Sequence, residues 1–133
     1  MPQVLGIDHV AITVADLEAT CAFYDRLFGI RVVAEAVREG RVALRQVLLG
    51  GAMFSIHQAG NGMAPVAVRP TAGSADVCLR WSGDIESAAA VLRDNGVEVI
   101  EGPAPRKTAD GLRAQSVYFR DPDQNLMELM AAD

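Results

Sequence analysis

The chain holds only two histidines, His9 and His57, and each sits in a strand-like run. In GIDHVAITV (6–14), Val10, Ile12 and Val14 alternate with His9, Ala11 and Thr13 at period two. One face of that strand is β-branched and apolar, and the other carries an imidazole among small residues. In AMFSIHQA (52–59), His57 shares a face with Met53 and Ser55, opposite Phe54 and Ile56. Two acids fall into the same pattern: Asp76 lies with Cys78 and Arg80, and Glu128 lies with Leu126 and Met130. Two imidazoles with one or two carboxylates suit Fe, Mn, Co, Ni or Zn at an open catalytic site. Taken singly, each residue has a plainer reading, as a packed or solvated strand position; the shared face is what favours a metal.

The elements that must position these residues repeat. After the first strand, Asp16 is placed to cap a helix in which Leu17, Cys21, Tyr24 and Phe28 recur at helical spacing, and Gly29 stops it. Strands are predicted over 30–37, 42–49 and 52–59, with Glu39-Gly40 and Gly50-Gly51 as turns. The stretch 59–73 has no sustained period and reads as a linker. The pattern then restarts: a strand from Asp76 to Trp81, and a helix with Ile85, Ala88, Ala89 and Leu92 as its apolar stripe that ends at Asn95-Gly96. Strands follow over 97–101, 112–120 and 126–131, with 102–111 between them as a polar loop able to close over a substrate. The expected fold class is therefore α+β, a duplicated β-α-β-β-β unit. Its parts form one domain: a first module over about 4–59, a linker over 60–73 and a second module over about 74–131. An offset of 67 or 68 residues, growing by about three at the last hairpin, sets Asp76 where His9 sits and Glu128 roughly where His57 sits.

Bulk properties narrow the function classes. At 133 residues and 22% charged residues, this is an ordinary globular composition. A net charge of −5 opposes nucleic-acid binding and gives no attraction to an anionic membrane. The apolar runs are too short to span a bilayer and the first residues do not resemble a signal peptide, so the expected location is the cytoplasm. Cys21 and Cys78 match no metal or redox spacing and are expected to be reduced, packed thiols. Trp81 and Phe119 read as core, and Tyr118 lies in a strand whose facing the sequence does not fix.

Four stretches, IDHVAITVADLEATCAFYDRLFGI, SIH at 55–57, SADVCLRW and SVYFRDPDQNLMELM, make the chain resemble the vicinal oxygen chelate superfamily. That superfamily includes glyoxalase I, bleomycin-resistance proteins, fosfomycin-resistance enzymes, methylmalonyl-CoA epimerase and extradiol dioxygenases. FSIHQAG followed by RPTAGSADVCLRW is similar to a small glyoxalase-like subgroup sometimes labelled virulence-associated.

The resemblance implies paired βαβββ modules curved around a metal site, with His9, His57, Asp76 and Glu128 as ligands of one divalent transition metal (Ni, Co, Zn, Mn or Fe). It further implies a small-molecule substrate that chelates through vicinal oxygens, a lyase or isomerase reaction, and a homodimer. Glu128 is the candidate proton-moving base and Asp76 the runner-up; Thr13, Met53, Ser55, Arg80 and Met130 are the candidate substrate pocket. Glyoxalase I-like members usually carry histidine where this chain has Asp76, and often glutamate or glutamine where it has His57. Two other readings stand: a drug-binding protein of bleomycin-resistance type, and an extradiol dioxygenase, which would want a further histidine that this chain does not have. Gln124 occupies a turn position that is glycine in the family's DPDGN pattern, and a left-handed conformation there would cost roughly 1 kcal/mol.

Overall fold

The computed structural model describes all 133 residues. They divide into two compact units, Met1–Ala72 and Gly73–Asp133. No helix is long and apolar enough to cross a membrane.

The first unit contains β1 (His9–Val14), α1 (Leu17–Phe28), β2 (Arg31–Arg38), β3 (Arg41–Leu49) and β4 (Ala52–Gln58). Its sheet runs β1-β4-β3-β2, with β1 and β4 parallel and the other pairs antiparallel. α1 starts where the Asp16 carboxylate accepts the Ala19 N–H at 3.1 Å, and it ends at Gly29, whose φ is 70°. Leu17, Cys21, Tyr24 and Leu27 are buried from the helix, as are Val14, Val47, Phe54 and Ile56 from the sheet. A fully buried side chain of this size contributes about 1.5–3 kcal/mol, which is what fixes one face of the sheet under the helix.

Arg45 adds a polar tie on that side. It donates from Nε to Glu35 at 2.8 Å, and its other guanidinium nitrogens reach both Glu18 carboxylate oxygens at 2.8 and 3.1 Å. The Arg45 hydrogen bond holds the Glu18 carboxyl below its ordinary range. Gln58 closes the end of β4 against the helix start, accepting from the Leu17 N–H at 2.9 Å and donating to the Ala15 carbonyl at 2.7 Å.

The second unit repeats the order with β5 (Asp76–Trp81), α2 (Ile85–Asp94), β6 (Glu101–Lys107), β7 (Arg113–Arg120) and β8 (Leu126–Ala132). Its sheet runs β5-β8-β7-β6, again with the first pair parallel. Two four-stranded mixed sheets, each with one helix, are the expected βαβββ architecture. Phe119 lies in the core at 0% exposure, and the half-buried Trp81 donates from Nε1 to Ser87 at 2.9 Å.

Two local expectations are corrected. The sixth strand covers 101–107, not 97–101, so most of the expected loop at 102–111 is strand. Pro103 and Pro105 disguised it; they are tolerated because β6 is an edge strand, where a missing N–H breaks no ladder. The thiols also differ, since Cys21 is buried whereas Cys78 is exposed.

The turn before β8 is the tightest polar element. Asp121, 2% exposed, accepts the Asp123 and Asn125 N–H groups at 3.0 Å each and the Asn125 side-chain amide at 2.8 Å. Asn125, 1% exposed, accepts the Ala75 N–H at 2.8 Å, which clips the turn to the residue before Asp76. Gln124 has φ 68°, the left-handed conformation anticipated for it. Asn125→Ala should lower stability by about 2–3 kcal/mol, because it strands the Ala75 N–H and removes a donor from a buried carboxylate. Gln124→Gly should raise stability by about 0.5 kcal/mol, relief of backbone strain being partly offset by unfolded-state entropy. Urea denaturation midpoints of the two variants check both signs.

Candidate functional site

Each sheet has one face under its helix and one free of it, and strand parity puts the candidate residues on the free faces. In the first unit that face carries His9, Ala11 and Thr13 from β1, Met53, Ser55 and His57 from β4, and Leu44, Gln46 and Leu48 from β3. His9 stands opposite Met53, and His57 opposite Thr13. The two histidines are thus four residues apart along parallel strands, about 13 Å. They share a face, and a separation of that length is wide for two imidazoles expected to grip one ion. In neither unit do three His, Cys, Asp or Glu side chains form a metal-holding group.

The two rings also sit in opposite electronic settings. His9 Nδ1 lies 2.8 Å from the Asp8 carboxylate, to which it donates, leaving the Nε2 lone pair open. A carboxylate oriented on the far ring nitrogen is the usual support of a metal-binding imidazole. His57 Nδ1 instead lies 3.2 Å from the side-chain amide nitrogen of Asn61. That amide's orientation is fixed, because its oxygen accepts the Met63 N–H at 2.9 Å and its nitrogen donates to the Ala43 carbonyl at 2.9 Å. An amide nitrogen cannot accept, so Nδ1 does, and the neutral ring carries its proton on Nε2.

In the second unit the free face carries Asp76, Cys78 and Arg80 from β5 and Leu126, Glu128 and Met130 from β8. Strand pairing adds Ser116 and Tyr118 from β7 and Ala104 and Arg106 from β6. Glu128 stands between Cys78 and Tyr118 in one cross-strand row, so the facing of Tyr118 is settled. Arg106 donates from Nε to the Tyr118 hydroxyl at 2.8 Å and lies 5.4 Å from the centre of its ring. The phenol oxygen thus accepts from a cation and keeps its own O–H to donate. Arg80 is therefore not the only cation on this face; Arg106 was hidden by the misread strand. Among the pocket candidates, Ser55 is 3% exposed with its hydroxyl engaged by Gln46 at 3.1 Å, Met130 is buried, and Thr13 and Met53 are half-buried.

The registers also revise the repeat. His9 and Asp76 correspond at an offset of 67 residues, but Ser55 and Glu128 correspond at 73, so His57 matches Met130 and Thr13 matches Arg80. The expected growth at the last hairpin is present, 121–125 having five residues where the first unit has Gly50-Gly51, but an equal insertion precedes it in the connection 108–112, where the first unit has only Glu39-Gly40.

A family model described as the Glyoxalase/Bleomycin resistance protein/Dioxygenase superfamily matches residues 6–129. The chain is 37% identical over 123 residues to virulence protein STM3117 of Salmonella typhimurium, covering 92% of this chain and 81% of that protein. It is 40% identical over 127 residues to the glyoxalase domain-containing protein RDO1 of Mycosarcoma maydis, covering 96% of this chain and 68% of that protein. Among solved structures, one of a mutant of the fosfomycin resistance protein FosX from Listeria monocytogenes, complexed with Mn(II) and 1S,2S-dihydroxypropylphosphonic acid, shares the fold. Its TM-score is 0.66 at 21% identity, covering 98% of this chain and 93% of that chain.

Cys78 is exposed as a residue, yet desolvation of its thiol by the surrounding strands, and then the charge and hydrogen bond of Glu128, push it up to about 11. Alkylation of Cys78 by iodoacetamide should therefore be slow at pH 8 and rise about ten-fold per pH unit toward that value. Glu128→Gln removes the opposing charge and should shift the profile to lower pH. Mass-spectrometric alkylation rates check both, with the buried Cys21 as an internal reference.

Proposed function

The chain belongs to the Glyoxalase/Bleomycin resistance protein/Dioxygenase superfamily, and on that premise we propose that it is a divalent-metal-dependent, glyoxalase-like enzyme. It would act as a lyase or isomerase on a small substrate that presents two neighbouring oxygens. The observation that supports this reading is that His9, with its Asp8 carboxylate, and the acids Asp76 and Glu128 all lie on helix-free sheet faces. These three would hold an ion of the Mn, Fe, Co, Ni or Zn group, a mixed imidazole–carboxylate set such ions accept. His57 stands outside the set because its Nε2 carries the ring proton.

When bound, the ion supplies Lewis-acid stabilisation of negative charge developing on a chelated substrate oxygen. The chain's own residues do the rest. Glu128 accepts the proton from the carbon beside the substrate carbonyl and returns it, with Asp76 as the second carboxylate in reach of that role. Tyr118, held by Arg106, directs its free O–H toward a substrate oxygen. Arg80 meets an anionic substituent, while Thr13, Met53, Ser55 and Met130 contribute wall. A homodimer belongs to the proposal: Val32, Val33 and Val37 stay exposed on the edge strand β2, and a second copy would cover them.

The second reading is a binding protein of bleomycin-resistance type with no chemistry. It rests on the family description, which includes bleomycin resistance proteins beside glyoxalases. Mn(II) titration followed by electron paramagnetic resonance separates the two. The enzyme reading expects about one tightly held ion per chain, weakened about 10–100-fold in His9→Ala and Glu128→Gln and unchanged in His57→Ala. It also expects Mn-dependent deuterium exchange at the carbon next to the carbonyl of hydroxyacetone, slowed at least about 100-fold by Glu128→Gln. A chain that retains no ion and exchanges no proton is the binding protein.

A further inference from the structure

His57 lines a recess of about 200 Å³ in the first unit, together with Thr13, Asn61, Met63, Val66 and Pro70. The turn that shapes this recess is built around Asn61, whose amide spends its oxygen on the Met63 N–H and its nitrogen on the Ala43 carbonyl and His57 Nδ1. Three contacts through one side chain lock both the turn and the ring tautomer. We propose that this recess binds a small, uncharged carbonyl compound, with the His57 Nε2–H donating to the carbonyl oxygen. The proposal does not depend on the metal chemistry, because every residue in it belongs to the first unit and none is among the three proposed ligands.

The ligand class follows from the lining. The volume is below the 300–1,000 Å³ of sites for drug-sized molecules, so the ligand has few heavy atoms. No charged side chain lines the recess, Arg38 standing beside Gly62 in the adjoining cleft, and the chain as a whole carries −5, so an anion inside would be desolvated without a counter-charge in contact. Met63, Val66 and Pro70 offer apolar contact to a short alkyl group. Thr13, opposite His57 in the β1–β4 register, adds a hydroxyl beside the imidazole. A ring locked as an Nε2–H donor matches a ligand oxygen that only accepts, which a carbonyl or amide oxygen does.

The test uses full-length, metal-free protein with 15N-labelled histidine, the two rings being assigned with His57→Phe. Long-range 1H–15N spectra are expected to show His57 as the Nε2–H tautomer. Added isobutyramide should shift the His57 ring and the Thr13 methyl, and isobutyrate should bind about ten-fold more weakly or worse. Asn61→Ala should release the ring to a mixture of tautomers and weaken isobutyramide about ten-fold, the effect of one lost hydrogen-bonding partner. One equivalent of Zn(II) should leave the His57 Nε2 proton in place. The proposal is overturned by an Nδ1–H tautomer or by Zn(II) bound at His57 Nε2. It is equally overturned if isobutyrate binds as tightly as isobutyramide, or if neither probe shifts the recess up to its solubility limit.

Discussion

The parallel pairing of the first and last strands of each unit, under a helix that covers one face only, is the constraint on which the remaining structure depends. Parallel neighbours cannot be joined by a hairpin, so the chain leaves the first strand through α1 or α2 and returns after two antiparallel strands. The helix then buries alternate residues: Val14, Phe54 and Ile56 in one unit, Met127 and Leu129 in the other. Once those are fixed, a slip of one residue would carry every core side chain into solvent, so the parity of His9, His57, Asp76 and Glu128 is set by packing far more than by any contact of their own. Which residues reach the free face is thus a by-product of hydrophobic pairing on the other.

This explains what could be read in the sequence and what could not. Parity needs only the apolar alternation, and every free-face assignment made from it agrees with the strand pairing. The first helix cap was equally legible, because Asp16 acts within a few residues of chain. Register is different in kind. It depends on how many residues each connection spends, and the unanticipated longer link at 108–112, added to that at 121–125, displaced the expected match between the halves by two positions, pairing Glu128 with His57 when its true counterpart is Ser55. The Arg106–Tyr118 contact was lost for a related reason. A stretch with glycine and two prolines reads as loop by local propensity, and only its place at the sheet edge allows it to be strand.

The role of Asn61 lay beyond any periodic signal. It sits in a stretch without regular structure, and its partners Ala43, His57 and Met63 come from β3, β4 and the turn itself. The residues that follow His57 include the amides Gln58 and Asn61 and no acid, whereas His9 has Asp8 as its immediate neighbour. Two histidines on one face of one sheet are therefore not interchangeable. The hydrogen-bond partner on the far nitrogen decides whether a ring presents a lone pair or a proton.

The duplicated scaffold shows how such differences arise from burial. The row Ala11–Ser55–Gln46 in the first unit corresponds to Cys78–Glu128–Tyr118 in the second. Ser55 is 3% exposed, and its neutral hydroxyl is satisfied by one hydrogen bond from Gln46. A carboxylate at that depth would need several donors or a cation to offset its desolvation, and the row supplies only the one amide. Glu128, by contrast, is half-buried beside Tyr118, so its row is partly open to water. The second unit can carry a carboxylate in this row because its face leaves the row partly open to water, whereas the first unit, closed at the same depth, carries a hydroxyl there.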